Sequence, residues 1–438
     1  MKNPNLKDGL GDARRRAEPH WTVRGSLTMH TKRFRFFLTG AFVALFAAAS
    51  VVGAAAAAGT HQVVYNFTGG NDGGNAATDL VFDSNGNAYG TTVVGGVSGC
   101  GTIFKATPAQ GQWVVQTLWS FSCFNDGKNP HGGVTLDVAG NIYGTTVAGG
   151  SGGICDGDGC GVVFRLGHGG AMRTIYNFTG QLDGFGPGGR VVFDRSGNLY
   201  GTTPDGGKNG MGVVYQLSFR QNHWKQTVIH AFTGRNDGST GSLGPLLIDT
   251  NGTIFGIAEL GGAYQAGTAY KITPGAGGTW TFRTLWAFRG LPDAGFPYGG
   301  LIADASGDLF GTTYYGGANG LGSVYELKRG NFGAYHEHLL YSFQGGSDGS
   351  SPTTTLLLAS SNDLVGTTSA GGNTCDCGTI FKVSARTGAE SILYRFGSSQ
   401  TDGAYPYYGL SFDMSGDLVT STVAGGSFGQ GVLFGIKP

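Results

Sequence analysis

From residue 61 onward, apolar and polar side chains alternate in runs of about five residues bounded by Gly, Asn, Asp or Pro. One clear stretch reads as four consecutive strands: A over Gly132 to Asp137, B over Asn141 to Thr146, C over Gly161 to Leu166 and D over Arg173 to Phe178. Their β-branched and aromatic content, punctuated by turn residues, is a strand signature, and no 3.6-residue period interrupts it.

The unit recurs. The phrase Asp-x-x-Gly-Asn-Leu-Tyr-Gly-Thr-Thr-x-x-Gly-Gly returns seven times between Asp83 and Thr422, with its central glycine at Gly90, Gly144, Gly201, Gly256, Gly311 and Gly366 and with Thr420 in the seventh copy. Intervals of 54 to 57 residues mean a repeat architecture. Strand C carries a ring in every copy (Phe104, Phe164, Tyr215, Tyr270, Tyr325, Phe381 and Phe434), usually followed by a polar residue, which is the pattern of a strand with one buried face. Strand D ends in Phe67, Phe121, Phe178, Phe232, Phe288, Phe343 and Phe396, each preceded two residues earlier by Tyr, Trp or His. Large rings at fixed positions fill the gap between twisted four-stranded sheets stacked face to face. The repeat region opens with a lone D strand, His61 to Phe67, and finishes with a C strand, Gly431 to Ile436. Pairing these two completes seven blades and closes the ring, where an open solenoid would need caps. The expected fold is therefore an all-β, seven-bladed β-propeller of four-stranded blades, spanning residues 59–438 and closed by the N-terminal strand against the last blade.

Composition narrows the partners. The 438 residues carry 28 Lys and Arg against 28 Asp and Glu, so no long-range field steers the chain to nucleic acid or an anionic membrane. The 84 glycines sit at fixed repeat positions, which points to turns with positive φ instead of low complexity. Residues 1–58 differ in kind: an apolar run from Phe36 to Ala58, preceded by Lys32, Arg33 and Arg35 and ending in alanines, reads as a secretory signal peptide cleaved near Ala58. The 28 hydrophilic residues before Met29 suggest that translation starts there. An uncleaved anchor is the rival, disfavoured by the alanine-rich end. The expectation is a secreted or periplasmic monomer with no membrane insertion after cleavage. Six cysteines in an exported chain imply disulfides. The C–D hairpin around Ala109 to Gly111 should bring Cys100 to Cys123, and Cys155 should pair locally with Cys160. The state of Cys375 and Cys377 is left open, since a ring across one intervening residue would be strained.

Two resemblances follow from these residues. Val191-Val192-Phe193-Asp194 through Tyr200 looks like the NHL-type propeller repeat. The fuller phrase, with Gly101 to Pro108 and Phe67 to Gly73, resembles the bacterial GloVer tandem repeat of choice-of-anchor proteins over about residues 61–438. That resemblance implies an exported propeller-like protein of unassigned activity whose members carry varied surface anchors. This chain stops at Pro438 without a sorting segment, which implies release in soluble form.

In such a ring the D–A and B–C loops share one face. The Asp-Gly series there (Asp72, Asp126, Asp183, Asp237, Asp348 and Asp402, with Asp293 in the remaining blade) reads either as a carboxylate crown for Ca²⁺ or a polyol, or more simply as turn residues bonding their own backbone. A second series in the A–B turns (Asp83, Asp137, Asp194, Asp249, Asp304, Asp413, broken by Ala359) reads as hairpin support. Departures from the repeat are better clues, because one site on a pseudo-symmetric ring must break the symmetry. After Gly-Thr-Thr, three blades carry Pro204-Asp205, Glu259-Leu260 and Tyr314-Tyr315, and the starts of strand A carry His131, Arg190, Tyr298, Tyr407 and Tyr408 against Ala77 or Thr354. Rings with a few carboxylates suit stacking on sugar faces and bonding to hydroxyls. The expected ligand-binding set is Tyr314, Tyr315, Tyr298, Tyr407, Arg190, Asp205, Glu259 and His131, and the ligand an extracellular carbohydrate or cell-surface glycan. Glu259 with His131 is the candidate acid–base pair of a rival lyase or hydrolase. A protein-binding scaffold and plain loop drift are the other readings. No cofactor is expected; the Cys155 to Cys160 loop, with Asp156 and Asp158, reads equally as a Ca²⁺ site or as a small disulfide-closed insertion. His336 and His338 share a strand face on strand D, where exposure is the ordinary explanation.

Overall fold

The computed structural model describes residues 61–437 apart from Ala77, Asp156, Leu243 and Ser360. The signal-peptide, start-site and cleavage expectations, Asp156 of the calcium loop and Pro438 lie outside the described residues. Seven antiparallel sheets follow one another around a ring. In blade 3 they run A Val192–Phe193, B Leu199–Thr203, C Val213–Arg220 and D His223–Ala231, in spatial order A-B-C-D. Blade 7 takes its A, B and C strands from Ser411–Phe412, Leu418–Ser421 and Val432–Ile436, and its D strand is His61–Asn66. His61 pairs with Ile436 and Asn66 with Val432, so the two ends of the repeat region close the ring.

One contact is repeated at every blade boundary. The Phe ending strand D of one blade meets, edge to face, the strand C ring of the next: Phe67–Phe104 at 5.3 Å, Phe178–Tyr215 at 5.2 Å and Phe288–Tyr325 at 4.9 Å are examples. All these rings are fully buried. In blades 1 to 6 the strand C ring in turn lies over the glycine of Tyr-Gly-Thr-Thr, where a Cβ on Gly201 would sit 2.4 Å from the Tyr215 hydroxyl, while blade 7 places Thr420 opposite Phe434. That glycine is required by the ring, not by a turn.

Backbone bonds join the blades on the loop face. The N–H groups of Asn129, Gly186, Thr240, Phe296, Ser351 and Tyr405 each donate to the carbonyl just before the opening glycine of strand C in the preceding blade, and Asn75 does the same to Gln430 across the closure. All seven of these residues have φ between 52° and 65°. Each lies within or beside a short outer stretch of chain that precedes strand A proper, as Thr240 does in Ser239–Gly241 and Phe296 in Ala294–Pro297, and strand A is split between that stretch and its remainder. Its register with strand B covers only two or three residues, Val134–Leu136 where the sequence suggested 132 to 137, while the stretch before the break pairs separately with the end of strand B, as in Ser239–Gly241 and Ser350–Pro352. Between the two halves the chain swings toward the axis. There the neighbouring inner strands touch so closely that a Cβ on Gly132 would lie 2.4 Å from the Gly188 carbonyl oxygen.

The two Asp series are scaffold. Asp194 accepts the N–H groups of Ser196 and Asn198 at 2.8 and 2.9 Å, the Asn198 amide at 2.8 Å and the Tyr200 hydroxyl at 3.0 Å. On the loop face Asp183 takes the Tyr176 hydroxyl and the Thr179 N–H, both at 2.9 Å. The half-buried rings two residues before each D-strand Phe thus fasten the D–A loop as well as filling space. One blade differs: Trp286 donates to Glu337 of the next blade at 2.7 Å, not to Asp293, and Glu337 also accepts the Ala294 N–H at 3.0 Å. All six cysteines are paired, as Cys100–Cys123, Cys155–Cys160 and Cys375–Cys377. Three disulfides fit an oxidising compartment, and among the described residues no helix is long and apolar enough to cross a membrane.

Two stability measurements check this account. Gly201→Ala should cost about 2–3 kcal/mol through overpacking against Tyr215, and its cost should shrink in a Tyr215→Ala background, read by chemical denaturation. Asp194→Ala should cost about 1–3 kcal/mol, and clearly more than Asp249→Ala, because Asp249 accepts two backbone N–H groups without side-chain donors.

Candidate functional site

The D–A and B–C loops do share a face: Gly74 bridges to Val94, and the Gly96 N–H donates to the Gly70 carbonyl. The Asp-Gly carboxylates on that face are occupied by their own loops, which leaves no carboxylate crown. His336 and His338 are exposed, with His338 Nδ1 3.1 Å from a Glu326 oxygen. Asp158 pairs with Lys128 at 2.9 Å, and the described residues contain no cluster of three or more His, Cys, Asp or Glu able to hold a metal.

Symmetry-breaking residues gather at the axis. Tyr298 lies where the inner strand of blade 5 crosses toward the centre, and its ring is 5.9 Å from Tyr314, 6.2 Å from Tyr407 and tilted or perpendicular to both. Tyr314 meets Tyr315 edge-on at 4.6 Å, and Tyr315, 52% exposed, leans on Phe296 at 5.8 Å. Tyr407 and Tyr408 are 6.0 Å apart, and the Tyr408 hydroxyl is hydrogen-bonded to His131 Nδ1 at 2.7 Å. The three starts of strand A that bear these residues belong to blades 2, 5 and 7, so ring closure alone brings them together.

Below the rings the channel narrows to a cavity of about 20 Å³, lined by Asp79, Tyr298, Thr353, Tyr407, Tyr408 and inner-strand backbone. That is room for about one water. Asp79 accepts the Gly409 N–H at 2.6 Å across the closure. It was missed in the sequence, although a carboxylate at a position held by glycine in Gly133, Gly300 and Gly409 was a readable departure.

The electrostatics follow from burial. Glu259, on strand B of blade 4, keeps part of its surface accessible but is hemmed in on most sides, and desolvation pushes its carboxyl up to about 7. Burial likewise raises Tyr298 far above its ordinary value, with Tyr407, Tyr408 and Glu259 adding to the effect, and lifts Tyr407 to about 12. His131 is pushed down to about 4 by burial, so it is neutral at physiological pH.

Of the eight expected residues, the structure brings together Tyr298, Tyr314, Tyr315, Tyr407 and Glu259, with His131 joined to them through Tyr408. Arg190 occupies the same repeat position as Asp79 and has no side-chain hydrogen bond or ion pair to the tyrosines among the described residues. Asp205 is exposed at the end of strand B, where its carbonyl accepts the Phe185 N–H at 2.9 Å and the Thr203 hydroxyl at 2.9 Å. Glu259 and His131 make no hydrogen bond or ion pair with each other among the described residues; they belong to blades 4 and 2, and His131 is hydrogen-bonded to Tyr408.

Among solved structures, the chain is similar to a fungal alcohol oxidase of the AA5 family at 12% identity, covering 87% of this chain and 76% of that one with a TM-score of 0.50. It is also similar to an oligogalacturonate lyase from Vibrio parahaemolyticus, at 10% identity over 86% and 91% of the two chains with a TM-score of 0.49. PorZ, a surface component of the type-IX secretion system of Porphyromonas gingivalis, matches at 15% identity over 83% of this chain and 46% of its own, with a TM-score of 0.47. At such identities the likeness is one of fold, and the activities of those proteins remain theirs. No curated protein matches the chain. The Gloeobacter/Verrucomicrobia repeat, in contrast, matches twice, over residues 46–245 and 241–438, and the chain belongs to that repeat family.

Proposed function

We propose that this propeller is an exported recognition module that binds an extracellular carbohydrate in the tyrosine-lined mouth of its loop face. The observation that carries the reading is the convergence of Tyr298, Tyr314, Tyr315 and Tyr407 around the axis beside two acidic groups, Glu259 at the rings and Asp79 in the small cavity lined by Tyr298, Tyr407 and Tyr408. Tyrosine offers a broad apolar face for the C–H side of a pyranose and a hydroxyl for its edges. Tyr315 is the most accessible platform, and Tyr298 and Tyr407 form the floor. A Glu259 carboxyl near neutrality accepts or donates a hydrogen bond to a sugar hydroxyl, according to its protonation.

The same carboxyl favours a second reading, a lyase or hydrolase using Glu259 as acid or base. His131 supports it less, since its ring is hydrogen-bonded to Tyr408 and neutral.

A glycan-array screen of the purified chain should return a specific saccharide, and calorimetry should then show affinity falling about tenfold in Tyr315→Ala, an energy of about 1.4 kcal/mol. A blank array would sink the carbohydrate reading. Turnover of a bound saccharide that vanishes in Glu259→Gln while binding persists would establish the enzyme instead. The raised carboxyl also sets a pH dependence. Glu259 is protonated in both folded and unfolded chains below about 4.5, so its penalty is absent there. It develops as pH rises from the unfolded value toward about 7, where the folded group finally ionises. Stability should therefore fall over that window, and Glu259→Gln should gain about 2 kcal/mol relative to the native chain at pH 8 after allowing for solvent access, measured by denaturant titration at both ends of the window.

A further inference from the structure

The opposite end of the blades carries another departure from the repeat, at the seam between blades 7 and 1. In blades 1, 2 and 3 the A–B turn carboxylate is capped by two side-chain donors. Asp83 accepts the Asn87 amide at 2.7 Å and the Tyr89 hydroxyl at 3.0 Å, Asp137 accepts Asn141 and Tyr143 at 2.7 and 3.1 Å, and Asp194 accepts Asn198 and Tyr200. Blade 7 keeps the turn: Asp413 Oδ1 accepts the N–H groups of Ser415 and Asp417 at 2.8 and 2.9 Å. Both side-chain donors are gone, however, because Asp417 stands at the amide position and Val419 at that of the tyrosine.

The missing ring opens space. Between blades 2 and 3 and between blades 3 and 4 the gap holds a pair of rings, Tyr143 against Trp224 at 6.4 Å and Tyr200 against Trp280 at 6.0 Å. At the seam Trp113 of blade 1, which meets Phe82 of its own blade edge-on at 6.1 Å, has Val419 in place of a ring on the blade 7 side, and a cavity of about 330 Å³ remains, lined by Trp113, Val419, Asp413, Asp417, His61 and Lys437. That volume is within the usual range for small-molecule sites. Blade 5 repeats the acidic pair as Asp304 and Asp308, but buried Phe310 takes up its ring position.

The lining has a chemical bias. Two carboxylates stand against one ammonium, and Lys437, with a side chain 68% exposed, is 3.8 Å from Asp417. Asp413 retains an oxygen without a side-chain donor, facing a cavity walled by an indole. A charged N–H donor satisfies the carboxylates most strongly and gains from the aromatic face as well. A neutral polyol satisfies the lone pairs but leaves the charge uncompensated.

We propose that this seam pocket binds a compact organic cation, a guanidinium or primary ammonium, paired with Asp413 and Asp417 and stacked on Trp113. The site is separate from the tyrosine mouth and does not depend on the carbohydrate reading.

The test is calorimetry on the purified chain with agmatine as a free cation, with acetyl-Ala-Arg-Ala-amide as a peptide-borne one, and with mannitol as an uncharged polyol. At least one cation should bind at a single site and mannitol should not, the tighter cation telling a free amine from a peptide side chain. Asp413→Asn keeps an oxygen for the turn N–H groups but removes the charge, and should weaken binding at least about tenfold. Val419→Tyr restores the ring of blades 1, 2 and 3, and should abolish cation binding while raising the melting temperature. Absence of binding by both cations overturns the proposal, as does tighter binding of mannitol or undiminished cation affinity in a folded Val419→Tyr variant.

Discussion

The structure depends on one repeated contact: a buried ring on strand C, wedged between the glycine of its own strand B and the terminal phenylalanine of the preceding blade. It sets the spacing between blades and fixes which face of each strand is buried. It also explains why a chain with 84 glycines is ordered, since many of them stand where another atom already occupies the position of a Cβ. Tyr215 over Gly201 and Phe178 against Tyr215 are two halves of the same joint.

Given that joint, a second layer of bonds becomes possible on the loop face. The left-handed residue before each inner-strand excursion donates to the preceding blade, which holds the excursion against the axis. The cost is a split strand A. The return is a set of backbone segments at the centre of the ring whose side chains need not obey the alternation of a strand. Tyr298, Tyr407 and Tyr408 stand there, and a continuous strand A would have sent every other one of these positions into the blade instead. The mouth is therefore a product of the break.

Repeated carboxylates and unrepeated ones play different parts. Asp72, Asp183 and Asp194 recur because every blade needs its loops closed, and their oxygens are consumed locally. Glu259 and Asp79 occur once each at their repeat positions and face the axis side. Asp413 is the intermediate case, a scaffold carboxylate whose partners have been replaced. Loss of a tyrosine at Val419 turns a closed hairpin into an open pocket without disturbing the turn.

The amino-acid sequence determined whatever is encoded over short separations. The period, the strand order and the Cys100–Cys123 and Cys155–Cys160 pairs follow from alternation, turn residues and hairpin geometry, all of which act within about one repeat, and the closure by His61–Asn66 was legible only because the strand count leaves one unpaired strand at each end. The structural role of the Asp-Gly loops was legible for the same reason, because their bonds span four to seven residues. Tertiary structure decided what joins distant blades. The break in strand A is imposed by the neighbouring blade, the capture of Trp286 by Glu337 crosses a boundary that no local pattern marks, and the Cys375–Cys377 pair was open until the loop was seen. The expected site residues were visible as departures from the repeat, but their meeting was not. His131 and Tyr408 are 277 positions apart, and only closure of the ring around its axis brings them within a hydrogen bond of each other.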